Sequence, residues 1–203
     1  MRGHLAEHGL VVPQGPAHLK TLAKVLDVTD VAMPQLVPDI GRIYLEQIEQ
    51  LNAKVADLEK TLCREAQFGE EKRHLQTMPG IGPITTMAVE AFAPPVQPFK
   101  RGRDFSAWLG LVPVQHSTGG KQRLGATTKM GERSLRRLLI LGANSVIIKR
   151  HVHAAARPGT WLGGMLTRKP PMLVRVALAN KMARIVWALM ARGGVYQSPA
   201  MAA

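Results

Sequence analysis

Ser117 lies in His116-Ser117-Thr118-Gly119-Gly120-Lys121, with Lys121, Arg123, Lys129 and Arg133 on the same stretch of chain. A serine hydroxyl attacks phosphorus or carbon only when a base takes its proton or a polar site stabilises the charge that develops. The four cations could hold a phosphate beside it. His116 is its neighbour, but successive residues of an extended strand point to opposite faces. A serine just ahead of two glycines is also an ordinary turn residue. The residues by themselves leave both readings open, with the turn the simpler.

A second constellation is Met78-Pro-Gly-Ile-Gly-Pro-Ile-Thr-Thr86. Gly80 and Gly82 flank Ile81, and Pro83 stands where a helix would begin. Glycine permits a tight turn with positive φ, and proline suits a first helical position. The expected product is a helix, a glycine hairpin and a second helix, with backbone N–H groups free at the second helix start. That is the helix-hairpin-helix pattern, a sequence-blind grip on a nucleic-acid backbone. A plain αα-hairpin is the alternative, because a short glycine match is weak evidence. Arg133, Arg136 and Arg137 open another expected helix, where cations oppose the helix dipole. A phosphate bound there would explain them, and solvated side chains are the alternative.

Charge favours the nucleic-acid reading. The chain is +13 over 203 residues. Residues 1–72 hold 8 Lys/Arg and 11 Asp/Glu, and residues 73–203 hold 19 and 3, giving −3 and +16. A basic half of this size selects a polyanion. A membrane is a poor partner, because the longest apolar run, Leu138–Ile148, is broken by Gly142 and Asn144 and falls short of the roughly 20 residues of a spanning helix. The single Cys63 and the lack of an apolar leader core point to a reducing, cytoplasmic setting. Two-metal phosphoryl chemistry needs converging carboxylates. The basic half offers only Glu90, Asp104 and Glu132, so no metal site and no cofactor are expected in this chain. His151 and His153 have no further ligands beside them.

These groups must be positioned by a mainly α fold: a coiled-coil helix, then a helical domain with a helix-hairpin-helix and a small irregular or β-ribbon insertion. Tyr44, Ile48, Leu51, Val55, Leu58 and Leu62 are spaced 4, 3, 4, 3, 4 with charged residues between them. A narrow stripe of this period predicts a coiled coil, most simply with a second copy, and an amphipathic helix packed on its own domain is the alternative. Residues 1–16 are expected to be a short helix followed by a Gly/Pro-rich connector, Gly9 to Pro16, with a second helix over 17–26, a loop from Asp27 to Pro38, and helices over Ile84–Ala93, Phe105–Leu109 with Asp104 as cap, Glu132–His151 and Met172–Ala191. A loop with a short turn around Trp161–Leu166 spans Arg157–Pro171. Gly110–Gly131 is irregular, with a β-ribbon around Gly119-Gly120. The expected division is 1–39 linker helices, 40–72 coiled coil, 73–192 the main domain and 193–203 a disordered tail.

Met78–Thr85, Phe105-Ser-Ala-Trp-Leu-Gly-Leu-Val-Pro113, His116–Gly125, Thr128-Lys-Met-Gly131, Arg136-Arg-Leu-Leu139 and Ala179-Asn-Lys-Met-Ala-Arg184 follow in one order. That series resembles the C-terminal half of transposases of the insertion sequence 110 family (the 110/116/902 group), over about residues 1–192. The resemblance implies an enzyme with a metal-binding RuvC-like carboxylate domain, a coiled-coil linker and a C-terminal domain bearing a serine nucleophile, guided by an RNA. Ser117 falls on that serine. The divalent metal belongs to the carboxylate domain, which this sequence lacks, so a truncated copy, inactive alone, is expected. The implied function is DNA transposition by site-specific recombination: DNA held by the hairpin and the basic loop, attack on phosphate by Ser117, a homo-oligomer through the coiled coil, and a guide RNA as partner. The alternative is a non-enzymatic nucleic-acid-binding and dimerisation module. A purely structural oligomerisation protein is a third reading, resting on the heptads.

Overall fold

The computed structural model describes residues 2–27, 34–121, 123–149 and 159–198. The expected loop 27–38, the end of the helix drawn to His151, the His151/His153 pair, the start of the loop at Arg157 and the end of the tail lie wholly or partly outside them. The chain divides into two compact units, 1–60 and 61–203.

The first unit holds α1 (Arg2–Glu7), a 3-10 turn at Pro16–His18, α2 (Leu19–Leu26) and most of α3 (Leu36–Glu65). Leu5, Val12, Leu22 and Leu26 form its small core, with Val37 and Leu45 of α3 against it. At 30 residues α3 is about 45 Å long. Pro38 is tolerated in its first turn, and no glycine or proline follows Gly41. Arg42–Asp39 and Lys60–Asp57 are ion pairs along its surface. The heptad stripe is on this helix and is open to solvent: Tyr44, Leu51, Val55 and Leu58 are 52–65% exposed, while Ile48 and Leu62 are half-buried.

The second unit is built on α9 (Pro171–Arg192), which packs against α4 (Glu70–Gln76), α6 (Gly102–Trp108), α7 (Arg133–Ile148) and α8 (Trp161–Arg168). α5 (Pro83–Phe92) lies on α4 and α7. Phe105, Leu109, Leu135, Leu139, Val174, Met182 and Val186 are fully buried. Phe105 stacks on Trp108, and Phe99 meets Phe105 edge-on at 5.3 Å. Small residues set the helix spacing, with Ala143, Ala179 and Ala183 fully buried. Gly102 faces the Arg184 backbone so closely that a Cβ there would lie 2.9 Å from the Arg184 carbonyl oxygen. Buried Thr86 and Ser106 donate to carbonyls of their own chain, Gly82 and Arg103, so neither costs an unmet hydrogen bond.

The mainly α architecture is as expected, with details that differ. Asp104 is the third residue of α6, not its cap: its carboxylate accepts from the Arg101 N–H at 3.0 Å, the side-chain half of a capping box, while its own N–H donates to the Arg101 carbonyl. Trp161–Arg168 is a full helix, started by the Thr160 hydroxyl accepting from the Gly163 N–H. Past α9 the chain stays docked as far as Tyr196, whose N–H donates to Thr77 Oγ1 at 2.8 Å and whose ring packs on the core. No helix among the described residues is long and apolar enough to cross a membrane.

Candidate nucleic-acid interface

The Gly110–Gly131 excursion is a β-ribbon with a clasped root. β1 (Pro113–Gln115) pairs antiparallel with β2 (Leu124–Thr127), with a bulge between Pro113 and Gln115. Beyond them Thr118 pairs with Lys121 around Gly119 and Gly120, whose φ of +57° and +76° match a type I′ turn. At the root, Gly110 and Gly131 both have positive φ. A Cβ on Gly110 would overlap the Met130 carbonyl, and one on Gly131 the Trp108 carbonyl. Arg136 reaches across from α7, donating from Nη1 to the Leu109 and Met130 carbonyls at 3.0 Å each. The root is therefore held from both sides, and the ribbon leaves the helical unit in a defined direction.

Ser117 is exposed near the outer end of this ribbon. Its hydroxyl donates to Gln115 Oε1 at 3.3 Å and accepts from the Arg123 N–H at 3.1 Å. The His116 ring covers Gly125, close enough that a Cβ there would lie 2.8 Å from Nε2. The neighbouring imidazole is thus committed to the other strand, as the alternation of side chains along a strand requires. Lys121 and Arg123 are exposed at the same end. Lys129 sits at the root with φ +55°, a left-handed conformation that costs a side-chain-bearing residue on the order of 1 kcal/mol.

The arginines of α7 divide. Arg133 and Arg137 are exposed, whereas Arg136 is half-buried and spent on the ribbon root. Glu132 caps α7, accepting from the Ser134 N–H at 2.8 Å. A phosphate at that helix start is not needed to explain the arginines: the Glu132 carboxylate already supplies the negative charge the dipole favours. The other acids of the basic half are engaged too, Glu90 with Lys72 at 2.8 Å and Asp104 in the capping box. Among the described residues no group of three or more His, Cys, Asp or Glu could hold a metal ion. These residues do not fit a divalent metal, and no chemical step is derived through one.

The glycine hairpin forms where expected, with its roles redistributed. Ile81 is buried and its N–H donates to the Met78 carbonyl at 3.1 Å, so it is a packing residue. Gly80, at φ +87°, lies against α7, where a Cβ would be 2.7 Å from the Gly142 carbonyl oxygen. Gly82 alone of the three faces open space, as the extended N-cap of α5. The hairpin therefore meets α7 at Gly142, about 14 Å along the axis from Arg133 where the ribbon ends. Ser117, Lys121 and Arg123 share the outer end of the ribbon, Lys129 lies at its root, Arg133 and Arg137 are exposed on α7, and the hairpin meets α7 elsewhere.

The sequence reading gave no site role to the middle of α9. Asn180 donates to the Leu111 carbonyl at 3.0 Å, tying α9 to the ribbon's entry. The Lys181 ammonium lies 4.6 Å from the centre of the Trp161 ring. Burial, with the nearby Arg184 charge second, lowers the Lys181 pKa. The sequence signals were the polar pair Asn180-Lys181 inside an apolar helix and its place in the Ala179–Arg184 motif.

The profile of the transposase IS116/IS110/IS902 family matches residues 72–157. The chain is similar to a "Probable family 20 transposase" of Pseudomonas aeruginosa, 41% identical over 199 residues, which are 97% of this chain and 59% of that protein. It is similar to the transposase for insertion sequence element IS1328 of Yersinia enterocolitica, 36% identical over 97% of this chain and 58% of that protein. It is also similar to the transposase for insertion sequence element IS1111A of Coxiella burnetii, 34% identical over 97% of this chain and 54% of that protein. The chain thus spans little more than half the length of the relatives it matches.

Proposed function

This chain belongs to the IS116/IS110/IS902 transposase family, and we propose that its part in transposition is to grip DNA along the basic ribbon and present Ser117 to a backbone phosphate. The observation that carries the reading is the exposed Ser117 hydroxyl on a cationic ribbon whose root is locked by Gly110, Gly131 and Arg136. A nucleophile on a rigid arm keeps its approach geometry, which is where much of the rate of such reactions originates. In the step itself a bond forms between Ser117 Oγ and phosphorus. The bond from phosphorus to one deoxyribose oxygen breaks, and the hydroxyl proton is lost as that oxygen gains one. The phosphodiester is conserved as a serine–DNA ester. Lys121 and Arg123 stand where they can neutralise the phosphate. The test is covalent capture: labelled DNA carrying an element end should migrate with the protein in denaturing gels, and Ser117→Ala should abolish the band.

Lys129 separates binding from folding. Lys129→Gly removes one cation and relieves the left-handed strain of about 1 kcal/mol, which is offset by the greater freedom of glycine in the unfolded chain. The melting temperature should stay within a few degrees. DNA affinity should fall, and the slope of log affinity against log salt should shrink by about one. An unchanged slope would remove Lys129 from the interface. The implied guide RNA would meet the same cations, so RNA should compete with DNA in this assay.

Oligomerisation is proposed through α3. Its exposed stripe places Ile48 and Val55 at one core position of the heptad and Leu51 and Leu58 at the other, the pairing preferred by parallel two-stranded coils. In that register Lys54 of one copy faces Glu59 of the other. Leu51→Asp should convert the dimer to a monomer in sedimentation or light scattering with helix content little changed, since Leu51 is 57% exposed in the single chain. A second reading, a binding module without chemistry, is favoured by the neutral Gln115 amide as the acceptor of the Ser117 proton. Salt-sensitive binding with no covalent band in a full-length relative would select it.

A further inference from the structure

Between β2 of the ribbon and helices α8 and α9 lies a cavity of about 710 Å3. Leu124, Trp161 and Leu173 line it, and they are 51%, 42% and 52% exposed, a cluster of large apolar side chains left open inside the basic half. Lys129 and Arg184 also line it, and no carboxylate does. Arg184 Nε is buried without a hydrogen-bond partner among the described residues. The Trp161 ring is held from one side by the Lys181 ammonium. A flat aromatic wall, two aliphatic walls and a cationic rim match a nucleotide whose base is out of the helix stack: the base is apolar and planar, and its phosphates are anionic. Paired bases are stacked on each other and cannot reach Trp161. Only an unpaired or extruded base presents its face to the ring.

We propose that this cavity takes one unpaired nucleobase of the DNA held on the ribbon, stacked against Trp161 between Leu124 and Leu173. The inference rests on the reading of the ribbon as a DNA-binding arm. The two sites are joined by the ribbon itself. Leu124 pairs with Gln115, and Ser117 is two residues further on, about 7 Å at strand rise. That is about two base steps of one duplex strand, so a base in the cavity lies about two nucleotides from the phosphate that Ser117 would attack. Holding it would fix which phosphate is presented.

The test uses the full chain, a perfect duplex, and the same duplex with one unpaired 2-aminopurine. The unpaired duplex should bind about 5- to 150-fold more tightly, the range for one base stacked on an aromatic side chain, and 2-aminopurine fluorescence should be quenched on binding. Trp161→Ala and Leu173→Glu should each lose the preference and the quenching yet keep affinity for the perfect duplex. Trp161→Phe should keep most of both. Equal affinity for the two duplexes, or quenching that survives in both variants, overturns the proposal. So does self-association of the protein that disappears in Trp161→Ala, because the cavity would then be covered by a second copy. Failure to bind either duplex would sink the ribbon reading itself, a result distinct from equal binding to both.

Discussion

Ser117→Ala in a full-length relative, or in this chain supplied with the remainder of such a protein, should form no covalent protein–DNA adduct at any time of incubation. DNA affinity should change by less than about tenfold. The two halves of this prediction have separate causes. The ester requires Oγ, and the neighbouring hydroxyl of Thr118 lies on a residue pinned in the bridge to Lys121, so no second nucleophile is poised to replace it. If DNA lies along the ribbon as proposed, affinity depends chiefly on the ribbon's cations. A neutral hydroxyl adds at most one hydrogen bond, worth about 0.5–1.5 kcal/mol. Folding should be unaffected, because the Arg123 N–H and the Gln115 amide that Ser117 bridges are exposed and water can take its place. An adduct in the alanine variant would move the nucleophile elsewhere. A loss of affinity of several hundredfold with a flattened salt dependence would mean that the ribbon had collapsed.

Gly142→Ala should be the most damaging of the small substitutions. Its Cβ would overlap the Gly80 carbonyl, a backbone atom that cannot rotate away. To admit the methyl, the hairpin must move off α7, and α5 and the core beneath move with it. Overpacking of this kind costs typically 1–3 kcal/mol and sometimes more, a large part of the 5–15 kcal/mol that holds a domain together. Gly80→Ala should be comparably destabilising, because it adds a positive φ of +87° to a 2.7 Å approach to Gly142. Gly82→Ala is the control, since open space surrounds that position. It should cost only the roughly 1 kcal/mol by which alanine is a poorer N-cap. Thermal melts of the three variants should rank Gly82→Ala well above the other two. If Gly82→Ala melts near the native temperature yet binds DNA more weakly, the α5 start contacts the backbone. If it binds normally, the hairpin is a packing device.

That comparison shows how much of the hairpin was readable beforehand. Two glycines around Ile81 with Pro83 behind them encode a turn and a helix start, because positive φ and a missing N–H are properties of single residues. What the turn faces is not encoded there. Gly80 is matched to Gly142, and neither glycine announces the other. Arg136 is a similar case: three arginines at a helix start read as a phosphate site, and the middle one proved to be a tie to the Leu109 and Met130 carbonyls. The glycines at 110 and 131 were visible as the ends of an irregular stretch. Their role as a clasp was not, because it depends on two backbones meeting. Asp104 was misplaced by three positions, taken for the cap where it is the third residue of α6, for a milder reason, since acidic residues suit both the cap and the first turn of a helix.

The sequence by itself determined the local and the statistical properties of this chain. The heptad stripe on α3, the type I′ turn at Gly119-Gly120, the run of helices and the +16 half follow from periodicity, from single-residue conformational limits and from charge counting, and each can be evaluated within a short window or a sum. Tertiary structure alone decided which of the candidate contacts remain open. It buried Ile81, closed Gly80 against Gly142, spent Arg136 on the ribbon root and assembled Leu124, Trp161 and Leu173 around one cavity. The reason is that close packing is a relation between distant segments: whether a side chain meets solvent, carbonyl or carbon is set by what the rest of the chain brings to it.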